Sequence, residues 1–137
     1  MTVYTLPYKY DDGGRSNYFK AKDVRDCVTR AIAIATGKDY KEVYNHVKKF
    51  TGDTPRNGVR KSLSKKLLLE YGGKWHPMMG IGTGCKCHLR ADEIPMNGVI
   101  VCQLSHHLTT VIDGVIHDTF NPTGNGDRCV YGYWTFE

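Results

Sequence analysis

Cys27 follows Asp26 and opens an apolar repeat, Val28, Ala31, Ile32 and Ala35, at helical spacing. Asp26 reads as the N-cap of that helix, its carboxylate accepting from first-turn N–H groups. A cysteine in such a first turn lies in the positive end of the helix dipole. Arg25 and Arg30 add charge beside it. These surroundings favour the thiolate, which is the reactive form. The same place equally suits a small hydrophobe beginning an apolar helix, so spacing alone leaves both readings open.

A thiol nucleophile needs a base, and His107 is the candidate. It opens a strand after Ser105-His106, where the strand fixes its backbone and the ring can reach a neighbouring helix end. Alternation sends His106 to the other side, as an exposed turn histidine. An imidazole base is in turn oriented by a carboxylate or amide. Asp113-Gly114 is a hairpin signal. Counting Ile112 against Val115 across it brings Asp118 within about one pair of His107 and Thr109. Asn121 is the second candidate for the orienting role, although Asn121-Pro122 also reads as a turn start. His117 faces away from Asp118. The order Cys27, His107, Asp118, with the nucleophile on a helix and its partners on an antiparallel sheet, is the layout of papain-like thiol hydrolases.

The elements that must position these residues follow from pattern. Residues 1–22, rich in Tyr, Gly and charge, read as an irregular arm with a short strand over 3–6. The Cys27 helix ends at Gly37. Asp39 with Glu42 starts a second helix with Val43, Tyr44, Val47 and Phe50 on its apolar face. A third covers 59–71, with Leu63, Leu67, Leu68 and Tyr71 inward, and stops at Gly72-Gly73. Residues 80–84 form a glycine-rich loop that lacks a phosphate-binding ending and is better suited to walling a cleft. Strands follow over 99–104, 107–113, 115–117 and 129–136. Helices first and sheet second make an α+β domain, N-terminal helices packed on a C-terminal antiparallel sheet. Trp75, Trp134, Tyr131 and Tyr133 are assigned to the core or a sheet face.

The remaining cysteines are Cys85, Cys87, Cys102 and Cys129, so the total is odd at 5. In a cytosolic chain a disulfide framework is not expected. Cys85, Cys87 and His88 spell Cys-x-Cys-His, which with Cys102 or Cys129 has the makings of a zinc site. Structural zinc sites, however, use Cys pairs two to four residues apart. No metal and no cofactor are expected, and these four thiols are taken as structural.

At 137 residues the chain has the length of one domain, 1–137. Its 40% hydrophobic and 24% charged residues exclude a disordered chain. No apolar run nears the roughly 20 residues that span a bilayer, so no membrane is expected. The first ten residues have no secretory pattern, which makes the cytoplasm the default address. The net charge of +5 is mild. Lysines and arginines gather between Lys48 and Lys66, which reads as a solvated face, with nucleic-acid association as a weaker alternative.

The strings Asp26-Cys27-Val28-Thr29-Arg30-Ala31, Cys85-Lys86-Cys87-His88-Leu89-Arg90-Ala91-Asp92-Glu93-Ile94-Pro95, Val111-Ile112-Asp113-Gly114-Val115-Ile116-His117-Asp118-Thr119 and Arg128-Cys129-Val130-Tyr131-Gly132-Tyr133-Trp134 resemble a family of small phage and prophage proteins. That family looks like papain-like cysteine peptidases, and the resemblance spans about positions 24–134. It implies a papain-like fold. It also implies thiol hydrolysis of a peptide or isopeptide bond in a host or phage protein, in the host cytoplasm. Cys27 is implied as nucleophile, His107 as base and Asp118 as orienter. The family often has Asp where Asn121 stands, which keeps Asn121 as the alternative orienter. Papain-like enzymes also place a Gln ahead of the cysteine as an oxyanion donor. Gln103 is the only Gln here and lies on a strand. Asn17, or a residue between Lys20 and Asp26, is the candidate for that donor beside the Cys27 N–H. A missing donor would suit the second expectation, a catalytically silent protein that binds and inhibits a host factor.

Overall fold

The computed structural model describes residues 5–20, 25–55, 57–79, 82, 84–124 and 126–136. Among them the chain forms β1 (Tyr8–Tyr10), a single 3-10 turn (Arg15–Asn17), α1 (Cys27–Thr36), α2 (Tyr40–Thr51), α3 (Lys61–Glu70), β2 (Lys74–Pro77), β3 (Val99–Leu104), β4 (His107–Ile112), β5 (Val115–Asp118) and β6 (Gly132–Phe136). The six strands form one sheet in the order β1-β5-β4-β3-β6-β2. The fold class is α+β. None of the helices is long and apolar enough to cross a membrane.

Local chemistry sets the helix ends. Asp39 Oδ2 accepts from Glu42 N (3.3 Å) and starts α2. Lys48 and Lys49 occupy its last turn, where cations meet the negative end of the dipole. Gly37 and Gly52 stop α1 and α2 with φ of 73° and 75°, a left-handed conformation open to a residue without a Cβ. Leu67 and Leu68 of α3 are fully buried, while Leu63 and Tyr71 are half-buried. Phe50, expected on the inner face of α2, is exposed, and Tyr40 at the start of that helix is buried instead.

The sheet has apolar layers on both faces. The helices cover one, where Val28, Ile32, Val43, Val47, Leu67 and Leu68 pack with Val101, Leu108 and Trp134. On the other lie Leu6, Cys87, Leu89, Ile94 and Val130. β3 alternates between them: Val99 and Val101 meet the helices, and Ile100, Cys102 and Leu104 meet the second layer. This is the period of two that a strand buried on both faces requires. β3 and β4 close at Ser105-His106, with Leu104 opposite His107. β4 and β5 close at Asp113-Gly114, with Ile112 opposite Val115 as the hairpin count predicts.

The sheet is mixed rather than antiparallel. β1 runs parallel to β5, pairing Tyr8 with Ile116 and Tyr10 with Asp118. The arm is drawn there because Leu6 is buried in the second layer, which leads the next residues along the open edge of β5. Ile116 N donates to Pro7 O and Asp11 N to Asp118 O, both at 2.9 Å. Two positions of the strand expected over 3–6, 3 and 4, lie outside the described residues. β2, which the sequence reading lacked, pairs with β6 and places Trp75 opposite Trp134.

The largest departure concerns the cysteines. Cys85 and Cys129 form a disulfide. The backbone brings them together: His88 bridges to Cys129, Val130 N donates to Cys87 O and Leu89 N to Arg128 O, both at 2.8 Å. Two thiols 44 positions apart in sequence become neighbours through this pairing, which spacing alone does not reveal. Cys27, Cys87 and Cys102 are free.

Candidate active site

Asp26 does not cap α1. It is buried, and no side-chain hydrogen bond caps this helix. Its carboxylate instead takes Arg15 Nη1 (3.0 Å), Arg30 Nη1 and Tyr40 Oη (2.6 Å). A buried carboxylate is costly unless surrounded by donors, so it turns inward to these three. The first-turn N–H groups of α1 are therefore not capped by the Asp26 side chain.

Cys27, half-buried, begins α1. The tip of this helix lies against the start of β4, and Thr110 Oγ1 donates to Ala31 O (3.1 Å) to hold the two together. Burial raises the Cys27 thiol. A hydrogen bond with the His107 ring and its positive charge, a hydrogen bond from the Leu108 backbone and the charge of Arg30 outweigh that, and the thiol lies below its ordinary range. Cys87 and Cys102 go the other way, pushed up chiefly by burial. Cys27 is thus the free thiol set apart electrostatically.

His107 Nε2 lies 2.7 Å from Asp118 Oδ2. The ring's other nitrogen, Nδ1, remains for Cys27. Burial lowers the basicity of His107, but Asp118 and Cys27 together raise its pKa to about 9. Asp118 is buried. That burial raises its pKa, and the hydrogen bond and charge of His107 more than offset the rise. Taken together, these shifts favour a thiolate–imidazolium pair with a carboxylate behind the imidazole.

The remaining candidates are placed as follows. His106 is exposed in the hairpin turn with φ of 56°. His117 pairs with Asp11 Oδ2 (3.0 Å) instead. Asn121 does not orient His107: its Oδ1 accepts from Thr123 N (3.1 Å) and Thr123 Oγ1 (2.8 Å) in a local turn. Asn17 is exposed on the 3-10 turn and is not among the residues that line the cleft. Of the stretch between Lys20 and Asp26, positions 21–24 lie outside the described residues. Gln103 Nε2 donates to Leu104 O (2.8 Å) and His107 O (3.3 Å), so its amide holds the hairpin that carries His107. Of the glycine loop, Gly82 and Gly84 do not line the cleft, and 80, 81 and 83 lie outside the described residues.

Cys27 and His107 open onto a cleft of about 1240 Å³. Val28, Val59, Leu104, Leu108, Phe120 and Tyr131 supply its apolar lining. Arg25, Arg30, Arg60 and Lys61 supply cations, and among the described residues neither Asp nor Glu lines it. One contributor escaped sequence reading, and a second does more than was expected of it. Phe120 packs its ring 4.9 Å from that of His107 and remains 48% exposed, covering one side of the imidazole. No spacing rule marks it. Arg30 ties Asp26 to Asp118, with Nη2 3.4 Å from Asp118 Oδ1. Arg30 was expected only as a charge beside Cys27, and its tie to Asp26, four residues before it on the same helix turn, is shown by the fold.

Comparison with protein-family models, with curated proteins and with solved structures finds no match to this chain.

Proposed function

We propose that this chain is a papain-like thiol hydrolase that cleaves a peptide or isopeptide bond, phage-encoded and acting on a host or phage protein in the host cytoplasm. The observation that carries the chemistry is the contact series Cys27–His107–Asp118 at the floor of a cleft. The origin and address rest on the motif resemblance.

In this reading the Cys27 thiolate attacks the substrate carbonyl carbon, and the C=O electron pair moves to oxygen. The Cys27 backbone N–H, at the uncapped start of α1, donates to that oxyanion. The carbonyl re-forms as the C–N bond breaks, and His107 gives its proton to the leaving amine. The acyl group is then a thioester on Cys27. His107 takes a proton from water, the hydroxide attacks the thioester, and carboxylic acid and Cys27 are released. Asp118 keeps the imidazolium favourable and its ring fixed throughout.

The test is alkylation by iodoacetamide with mass-spectrometric site mapping. Modification of Cys27 near neutral pH, well ahead of Cys87 and Cys102, is the expected result. Equal rates at all three thiols would overturn the reading.

One observation favours a second reading. The amide of Gln103 is committed to backbone carbonyls, and Asn17 does not line the cleft. The second oxyanion donor is thus not supplied by either. A papain-like domain that binds and inhibits a host factor without turnover fits this. A cellular phenotype that persists with Cys27→Ala favours that binder.

A further inference from the structure

The Cys-x-Cys-His string takes no part in the triad. Cys85, His88 and Cys129 each offer one ligand atom, and these atoms lie within 4.8 Å of one another. The structure shows the oxidised form, with the two sulfurs bonded. We propose that a small-molecule thiol reductant converts this clip into a Zn²⁺ site, with Cys85, Cys129 and His88 as protein ligands and water in the fourth position.

The donor set suits the ion. Two sulfurs and one imidazole nitrogen make a borderline-soft set that selects zinc over magnesium or calcium. At Zn–S of about 2.3 Å and Zn–N of about 2.0–2.1 Å, tetrahedral ligand atoms stand about 3.4–3.8 Å apart. The three atoms need only a small adjustment from their present spacing, once the sulfurs part.

Their proximity does not depend on the S–S bond. The bridge between His88 and Cys129, with its two flanking backbone hydrogen bonds, pins both segments. The histidine is also prepared as a ligand. Glu93 Oε1 lies 3.1 Å from His88 Nδ1 and accepts from His88 N at 3.1 Å. A carboxylate on one ring nitrogen fixes the ring and leaves Nε2 for a metal, the arrangement that supports most zinc-bound histidines. Cys87 is excluded: it is buried, and its Sγ is directed at Glu93 O (3.5 Å). Cys85 is exposed, which gives the ion an entry path and the fourth ligand its water.

The chemistry balances. Two equivalents of the reductant, RSH, open the disulfide to two Cys thiols and leave as RSSR. Each thiol releases one proton when it binds Zn²⁺. The clip's neighbours reach the cleft. Arg128 Nη2 donates to Ser105 O (2.9 Å), and Tyr131 N donates to Gln103 O (2.9 Å). Disulfide and metal are therefore alternative ways to brace one wall of the cleft.

The experiment uses the full chain carrying Cys27→Ala, so that the Cys27–His107 pair cannot itself take up metal. The protein is reduced, freed of reductant without air, and titrated with Zn²⁺ against a chromophoric chelator. Co²⁺ is used in parallel to read thiolate coordination by absorption. One Zn²⁺ per reduced chain is expected, with none taken up by the oxidised chain. Glu93→Gln is expected to weaken binding by about 10- to 100-fold, and His88→Ala by more. Cys87→Ser should match its parent. A reduced chain that takes up no Zn²⁺ at micromolar concentration overturns the proposal, as does one whose affinity is unchanged by His88→Ala. These two variants leave both clip cysteines in place, so the result does not depend on whether cysteine variants fold.

Discussion

The Arg30 guanidinium holds two buried carboxylates at once: Nη1 bonds Asp26, and Nη2 lies 3.4 Å from Asp118 Oδ1. One side chain on the Cys27 helix therefore reaches the carboxylate that bonds His107 on the sheet. It links α1 to the end of β5.

Removing that guanidinium should be expensive. Asp26 would keep Arg15 and Tyr40, while Asp118 would keep His107, but the two negative groups would no longer share a cation. Breaking a buried pair by deleting one partner typically costs about 3–5 kcal/mol. Arg30→Met is expected to lose stability on that scale in urea unfolding. Arg30→Lys should recover part of it, because an ammonium keeps the charge and gives up the two-pronged geometry. A loss below about 1 kcal/mol, the range of surface pairs, would show that Arg30 does not hold the site together.

Asp118→Asn keeps the shape and removes the charge. The basicity of His107 depends on Asp118 and Cys27, so the imidazolium should weaken and the Cys27 thiol should rise in turn. A rise of one pKa unit cuts the thiolate fraction about tenfold below the pKa. At pH values below the Cys27 pKa the rate of iodoacetamide modification should fall by about tenfold for each unit of that rise. The high-pH plateau should remain nearly unchanged, because there the thiol is ionised in either variant. A uniform slowing at every pH would instead indicate blocked access.

Stability against pH carries the signature of the pair. His107 has a folded pKa of about 9, raised from 6.5. Its contribution is full below the unfolded value and is lost as pH rises through about 9. Cys27 is lowered from 9.0. Its contribution is full above that unfolded value and is lost as pH falls through the folded one. Above both pH 6.5 and the folded pKa of Cys27, and below about 9, the two slopes oppose each other, since the folded pair and the unfolded chain each hold one proton there. Wild-type stability should be nearly flat across that window as far as these two groups decide it. Cys27→Ala removes the opposing slope and leaves Asp118 to raise His107. Its unfolding free energy should fall as pH rises from 6.5. Parallel curves for the two proteins would show that thiol and imidazole are not coupled.

The grouping of Cys27, His107 and Asp118 was legible because each sits beside a local signal. Asp26-Cys27 precedes an apolar helical repeat, and the Asp113-Gly114 turn counts His107 toward Asp118. What was not legible depends on long-range contacts. Asp26 has the residue type of a cap, and only the fold shows that Arg15, Arg30 and Tyr40 claim its carboxylate. β1 is three residues long, too short for a pattern, and its direction is set by Leu6 entering the second layer. β2 carries Trp75 and His76 in a four-residue strand with no clear alternation. The Cys85–Cys129 bond rests on pairing between two irregular segments. Its absence was expected from a presumed compartment rather than from geometry.

The cleft's charge gives a last prediction that does not require a known substrate. Arg25 and Arg60 are exposed and line the cleft with Lys61, with no acidic side chain among the described lining residues to offset them. Such a wall raises the local concentration of anions. Iodoacetate and iodoacetamide react with the same Cys27 sulfur and differ mainly in the charge of the reagent. Their rate ratio therefore reads the field at the thiolate. Arg60→Glu and Arg25→Glu should each lower the iodoacetate-to-iodoacetamide ratio at Cys27. The effect should be largest at low ionic strength. It should shrink near 1 M salt, where the screening length is about 3 Å. The imidazolium of His107 also attracts iodoacetate, but it is common to all the variants and cancels in the comparison. A ratio unchanged by both reversals at low salt would mean that the cationic wall does not act at the sulfur. The charge would then act farther out along the cleft, away from Cys27.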